Sequence, residues 1–232
     1  MFAAVMVVIV AALLSYAATT LKPFQDKNVE QEKMQNILSS IGIDVTRDKA
    51  ANEYPTYVTK ELVVVGNKEK QGVVAFDVDM SKEVKKPATE RESPLYIAEK
   101  DGKTYYIIPL RGTGLWGPIW GYVSLQEDLD TIYGAVFDHK GETPGLGAEI
   151  KQAGFTEQFK GKKILDSSGN LIGIDVRKGD ASGDSQVDGI SGGTITSVGV
   201  EEMIIDCLQA YIPFLKDYSG ATASAAVLNQ TN

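Results

Sequence analysis

Phe2 to Leu21 carries no charge and is built almost wholly of Ala, Val, Ile, Leu and Met. As a helix rising about 1.5 Å per residue, such a run crosses a hydrocarbon core of about 30 Å. It has no polar face, which argues against a buried core helix. A cleaved signal peptide is the rival reading, with Ser15-Tyr16-Ala17-Ala18 as the small-residue site. The length of the run favours a retained transmembrane anchor over residues 1–21. Lys22-Pro23 is expected to break it. Met34, Ile37, Leu38 and Ile41 then follow the i, i+3, i+4, i+7 spacing of an amphipathic helix, and Gly42 is a natural stop. This predicts a linker helix over 22–42. Residues 43–60 read as polar and irregular.

The middle of the chain changes period. Leu62–Gly66 and Gly72–Val78 are β-branched runs separated by turn residues. Ser81–Pro94 is charged, carries two prolines and reads as a loop. Thr104–Leu110, Ile119–Leu125, Asp130–Phe137 and Leu171–Arg177 read as strands, with Asp101-Gly102 and Asp166 to Gly169 as turns. Met203, Ile204, Cys207, Leu208 and Tyr211 mark one face of a late helix that Pro213 ends or kinks. The Ala/Ser/Thr-rich tail 219–232 is expected to be flexible. Strands crowd the middle and helices the ends. The fold class is α+β: a mostly antiparallel β core with flanking helices, preceded by one N-terminal transmembrane helix. The main domain is expected to span 43–218.

Composition narrows the chemistry. A net charge of −8 and a pI near 4.8 argue against nucleic acid as a partner. A single cysteine, Cys207, excludes an internal disulfide, and a single histidine, His139, excludes a His-rich metal site. There is no nucleophile elbow, P-loop, GxGxxG or internal repeat. Redox work by this chain would need an organic cofactor.

Three clusters could hold one. The first is Asp188-Gly-Ile-Ser191-Gly192-Gly193-Thr194, followed by Ile195-Thr196-Ser197 and a helical pattern. Two glycines admit a bulky group close to the backbone, and a helix start offers free N–H groups and a positive dipole end to a phosphate. The same composition also suits a simple turn or helix cap. The second is His139-Lys-Gly-Glu142-Thr143-Pro144-Gly145-Leu146-Gly147, a tight turn whose N–H groups could meet the polar edge of a planar ring while Leu146 packs on its face. An ordinary Pro-Gly turn is the alternative. The third runs from Arg111 to Gly121 and contains Leu115, Trp116 and Trp120. Trp120 is expected to fill the core; Trp116 either fills the core or walls a slot.

The first cluster resembles the flavinylation signature Asp-x-x-(Ser/Thr)-Gly-(Ala/Gly)-Thr, in which the last Thr carries FMN through its phosphate. The matching residue is Thr194, with Gly193 where Ala is commoner. Together the clusters resemble NqrC, the membrane-anchored flavin member of the sodium-pumping NADH:quinone oxidoreductase, Nqr. The likeness covers nearly the whole chain. It takes in Leu21-Lys-Pro23-Phe-Gln25, Gly114-Leu115-Trp116, Glu142 to Gly147, Gly161-Lys-Lys163 and Val176 to Gly179. It continues through Val187 to Ser197 and Pro213 to Leu215. The G subunit of the Rnf ferredoxin-oxidising complex is the nearest relative and the alternative, with a non-redox membrane-anchored scaffold as a further one. Ser219-Gly-Ala-Thr222 imitates the flavin motif, but Lys216 stands where the signature has Asp.

The resemblance implies FMN on a Thr194 phosphoester, relaying electrons from NADH toward quinone in a sodium-translocating inner-membrane complex. It implies the other Nqr subunits and a flavin transferase as partners. The flavin domain would lie on the extracytoplasmic side. Ser191, Gly192 and Gly193 would give access to the backbone, and Asp188 would serve the transferase. Thr196 and Ser197 would cap the helix and touch phosphate. Glu142, Thr143, Gly145, Leu146 and Gly147 would line the ring beside Leu115 and Trp116. Lys178 would balance phosphate charge or lie solvated at the surface.

Overall fold

The structure, a computed structural model, describes residues 2–218. The chain opens with one long helix, α1 (Phe2–Ser40), of 39 residues. The break expected at Pro23 does not occur. Proline costs one interior hydrogen bond, but strong helix formers such as Gln25, Lys27, Glu30 and Glu32 continue the helix beyond it. The helix is long and apolar enough near its start to cross a membrane. It ends as its sequence dictates. Gly42 has φ +71°, the Gly42 N–H donates to Ser39 O and the Ile43 N–H to Leu38 O. These two bonds satisfy carbonyls that the helix end leaves open.

The core is a six-stranded antiparallel sheet. β1 (Val58–Val65), β2 (Lys68–Glu69), β3 (Ser93–Lys100), β4 (Lys103–Thr113), β5 (Pro118–Leu125) and β6 (Ile132–His139) stand in the order β2-β1-β3-β4-β5-β6. Strand periodicity splits the apolar side chains between two faces. Tyr106, Ile108 and Leu110 of β4 face one core, with Ile119, Val123 and Leu125 of β5. Tyr105, Ile107 and Tyr122 face the other, where Ile37, Leu38 and Ile41 of α1 and Tyr54 of α2 (Arg47–Tyr57) pack. The remaining helices are α3 (Met80–Glu83), α4 (Ala153–Thr156) and α5 (Thr194–Gln209). A parallel pair, β7 (Asp175–Arg177) and β8 (Gln186–Asp188), stands beside α5. Residues 212–218 are helical again, with Pro213 in the first turn, where its missing N–H costs nothing.

Several sequence expectations are corrected. Residues 43–60 hold α2, which buries only Ala50 and Tyr54 and so shows almost no apolar period. Gly72–Val78 is not a strand but a turn and the short 3-10 helix Ala75–Asp77. Its apolar side chains join the α1-side core without a ladder, which a β-branched run alone cannot reveal. The loop expected at Ser81–Pro94 contains part of α3, and β3 already begins at Ser93. Pro94 is tolerated there because β3 pairs with β4 only from Tyr96 onward. Of Leu171–Arg177 only Asp175–Arg177 is strand. The tail and Thr222 lie outside the described residues.

α5 lies on the first face, with Val200, Met203, Ile204, Cys207 and Leu208 in that core. Two glycines let it come close. A Cβ on Gly112 would meet Met203 Cβ at 2.7 Å, and one on Gly199 would strike the carbonyl of Thr113. Buried Arg91 fixes the other side of the helix. Its guanidinium grips both carboxylate oxygens of Asp206 at 3.0 Å and also donates to the carbonyls of Asp206, Val84 and Lys86. A planar fork satisfied at every position is how a buried arginine is tolerated.

Cys207 is sealed under α5, and burial pushes its thiol from 9.0 up to about 12. The unfolded chain therefore releases this proton first as pH rises. The stability it represents is intact below about pH 9 and lost progressively toward the folded value. The native thiol should resist a thiol-specific reagent until urea unfolds the chain. The urea midpoint should fall more steeply between about pH 9 and 11 in the wild type than in Cys207→Ala. Equal slopes would remove Cys207 from the account.

Candidate functional site

The chain reaches the start of α5 through a forced turn. The Gly193 N–H donates to Ile190 O, and Gly192 takes φ +73°, a conformation that favours glycine. Gly193 caps the helix without a side-chain bond, so the first-turn N–H groups are left for a ligand or water. Ser197 locks the turn from inside: its hydroxyl donates to Gly193 O and accepts from the Ile190 N–H, each at 3.0 Å. Thr196, expected as a phosphate contact and cap, is instead buried and points to the far side of the helix.

Beside the turn lies a cavity of about 480 Å³ between β7 and α5. It is lined by Lys178, Gly179, Ser191, Gly192, Thr194 and Val198, among others. Thr194 is the first residue of α5 and is exposed. Of the sequence candidates, Lys178, Ser191, Gly192, Thr194 and Ser197 line this space. Asp188 does not: its carboxylate accepts from the Ala181 N–H, holding the loop after Lys178. Gln158 pins β8 by accepting from the Asp188 N–H at 2.8 Å and donating to Asp188 O at 3.2 Å. The sequence reading missed Val176, Arg177, Ile190 and Val198. The step Val176 to Gly179 carried the signal for the first two, while Ile190 was passed over as a spacer inside the motif and Val198 stood just after it. Arg177 is engaged, 3.3 Å from Asp175 and 4.0 Å from Asp180.

The second and third clusters meet the first through one carboxylate. Glu142 is 5% exposed. Its Oε2 accepts from the Thr196 hydroxyl at 2.6 Å and its Oε1 from the Trp116 N–H at 2.8 Å. The flanking glycines make room for it. A Cβ on Gly147 would stand 2.5 Å from both Glu142 Oε2 and Thr196 Oγ1, and one on Gly114 would stand 2.7 Å from Glu142 Oε1. Glu142 is therefore an internal tie rather than an open wall. The loop it anchors presses on the helix turn: a Cβ on Gly192 would meet Leu146 Cδ2 at 2.7 Å, and one on Gly193 would meet Gly147 N at 3.2 Å. Thr143 O accepts from the Leu146 and Ala148 N–H groups, and Gly145, with φ +76°, donates its N–H to Glu149.

The result is a set of apolar side chains presented to solvent around a helix start. Leu115, Trp116, Leu146, Ile195 and Val198 are exposed, Trp116 by 68%. Trp116 is thus not a core residue. Trp120 is half-buried on the α1-side face, with the Arg111 guanidinium 5.4 Å from its ring centroid. The arrangement suits a ligand with a planar apolar ring and an anionic group: free N–H groups, an exposed hydroxyl and Lys178 for the anion, apolar side chains for the ring. No cluster of metal-ligating side chains occurs among the described residues.

Glu142→Ala should cost about 1–3 kcal/mol in urea unfolding, because it leaves the buried Thr196 hydroxyl and the part-buried Trp116 N–H without their acceptor. Glu142→Gln keeps one acceptor oxygen and should cost less. A neutral Glu142→Ala change would show that the tie is not made.

Comparison with known proteins bears on this site directly. The FMN-binding domain family matches residues 114–209, which contain the first two clusters and the third from Gly114 onward. The C subunit of the Na(+)-translocating NADH-quinone reductase of Neisseria meningitidis serogroup B is 33% identical, over 93% of this chain and 91% of its own. Its counterpart from Haemophilus ducreyi is 30% identical, over 83% and 82%. The crystal structure of the same protein from Parabacteroides distasonis superposes with a TM-score of 0.77 at 44% identity, covering 84% of this chain and 96% of that one.

Proposed function

The chain belongs to the NqrC family of Na(+)-translocating NADH-quinone reductases, and we propose that it is the anchored electron-relay subunit of such a complex, with FMN held covalently on Thr194. The observation that carries this reading is the placement of Thr194. It is the exposed first residue of α5, its helix cap is a bare glycine, and it lines a cavity that Lys178 also lines. FMN bound there supplies one- and two-electron chemistry.

The residues divide the work of holding it. Thr194 Oγ takes the phosphoester. The N–H groups of the first turn of α5 would donate to the remaining phosphate oxygens, and the positive helix end would favour their charge. Lys178, in the lining of the same cavity, would add a cation. Ser191 and Gly192 leave the turn open to a bulky group. Trp116, Leu115 and Leu146 offer the apolar surface against which the ring is shielded. Thr143, Gly145 and Gly147 shape the loop that carries Leu146, and Glu142 and Thr196 keep that loop on the helix. Asp188 holds the 181–188 loop and presents the motif to the flavin transferase. A covalent link keeps a cofactor that must remain partly exposed to exchange electrons.

The apolar start of α1 anchors the chain in the membrane. With the N-terminus inside, the domain stands on the extracytoplasmic side, where the transferase acts. Electrons pass through this protein between NADH and quinone, while sodium transport belongs to the whole complex with the other Nqr subunits.

The test is covalent loading during export. The exported chain is co-expressed with the transferase and run on a denaturing gel. The wild type and Thr222→Ala should fluoresce as flavoproteins, and Thr194→Ala should be dark. A fluorescent Thr194→Ala band would overturn the assignment.

A further inference from the structure

We propose that His139 is a positioning residue of the flavin site: as a neutral imidazole it fixes Glu142, and through Glu142 the tie between the Trp116 turn and α5. The effect on the cofactor rests on the flavin reading above; the positioning role itself does not.

His139 ends β6, paired with Ile119 of β5. Its Nδ1 accepts from the Glu142 N–H at 3.1 Å. A ring nitrogen that accepts carries no proton, so the neutral imidazole holds its proton on Nε2. Nε2 is buried and has no hydrogen-bond partner among the described residues. Turning the ring over would put carbon where the Glu142 N–H needs an acceptor. The ring is therefore oriented by this single bond, and an unmatched donor on Nε2 is tolerated to keep it. One residue thus has its amide held by His139 and its carboxylate spread between Trp116 and Thr196. Shifting the Glu142 backbone would pull on both.

Asp138 accepts the His139 N–H at 2.8 Å and lies 4.0 Å from Lys151 of the 3-10 turn Gly147–Lys151. The Glu142 carboxylate is held by the Trp116 N–H and the Thr196 hydroxyl. Lys140 follows in the chain, with its N–H on Pro118 O. β5 brings Pro118 and Ile119, which do not ionise. A second proton on the ring converts Nδ1 from acceptor to donor, facing the Glu142 donor head-on. The amide cannot shed its own proton, so the contact between the two donors is what must give way. Acid therefore releases the 142–147 loop from its anchor, and the Leu146 that presses on Gly192 moves with it.

The full chain, FMN-loaded and in detergent, is labelled with ¹⁵N-histidine; the single histidine gives one unambiguous pair of ring signals. His139→Asn keeps an acceptor oxygen near the Nδ1 position and cannot take up a proton, whereas His139→Ala removes both. At neutral pH the wild-type ring proton should reside on Nε2. The Glu142 amide should exchange with solvent about tenfold or more faster in His139→Ala and near the wild-type rate in His139→Asn. Wild-type flavin fluorescence should step as the imidazole titrates. His139→Asn should hold the neutral-pH value throughout, and His139→Ala the acid value throughout. A ring proton on Nδ1, or a step in His139→Asn at the wild-type pH, would overturn the proposal. If the chain carries no flavin, the functional reading fails alone, and the tautomer and the Glu142 exchange rates still decide the role of His139.

Discussion

The site depends on one buried carboxylate. Among the described residues the Glu142 carboxyl has no cation as a hydrogen-bond donor, so the cost of burying it is met by neutral donors: the Trp116 N–H and the Thr196 hydroxyl. That requirement joins three segments far apart in sequence. It also dictates the glycines around it, since Gly114 and Gly147 stand where any Cβ would collide with the carboxylate. Once the tie is made, Leu146 lies on the Gly192 turn and the start of α5 is set with Thr194 exposed. An apolar substitute of the same size would leave two donors unsatisfied, so the position asks for an acceptor specifically.

The rest of the fold holds α5 steady behind that tie. Gly112 and Gly199 let the helix settle onto β4, and the five bonds of Arg91 clamp it near Asp206. The sheet behind is covered on both faces, by α5 on one and by the end of α1 with α2 on the other. A helix fixed over its length can leave its first turn uncapped without fraying, and that turn then serves a ligand. The same α1 that leaves through its apolar half packs its last turns on the domain.

Much of this was legible in the sequence. The first segment follows from its unbroken apolar run, β4 to β6 from β-rich apolar runs that serve a core on both sheet faces, and α5 from the helical period of its buried face. The helix start at Thr194 was legible from glycines before a helical pattern. What was hidden has physical reasons. α2 buries two side chains and leaves no stripe to read. Val73, Phe76 and Val78 imitate a strand because β-branched residues serve a core without a ladder. The continuity of α1 through Pro23 reflects good helix formers on both sides. Within the site, Glu142 reads as a ring-lining residue from its motif, yet its role is internal. Only tertiary structure reveals that its partners are Thr196 and Trp116. The inward turn of Thr196 follows from the helix phase: Thr194, Ile195 and Val198 share the exposed side, so Thr196 cannot.

The central claim is a phosphoester between FMN and Thr194, and peptide mass mapping of the natively loaded chain tests it most directly. Trypsin cleaves after Lys216, which separates Thr194 from Thr222. The account predicts that the peptide following Lys178 gains the mass of FMN less one water after full denaturation, with fragmentation placing the gain on Thr194. Release of all flavin on denaturation, or its appearance on a peptide lacking Thr194, would contradict it.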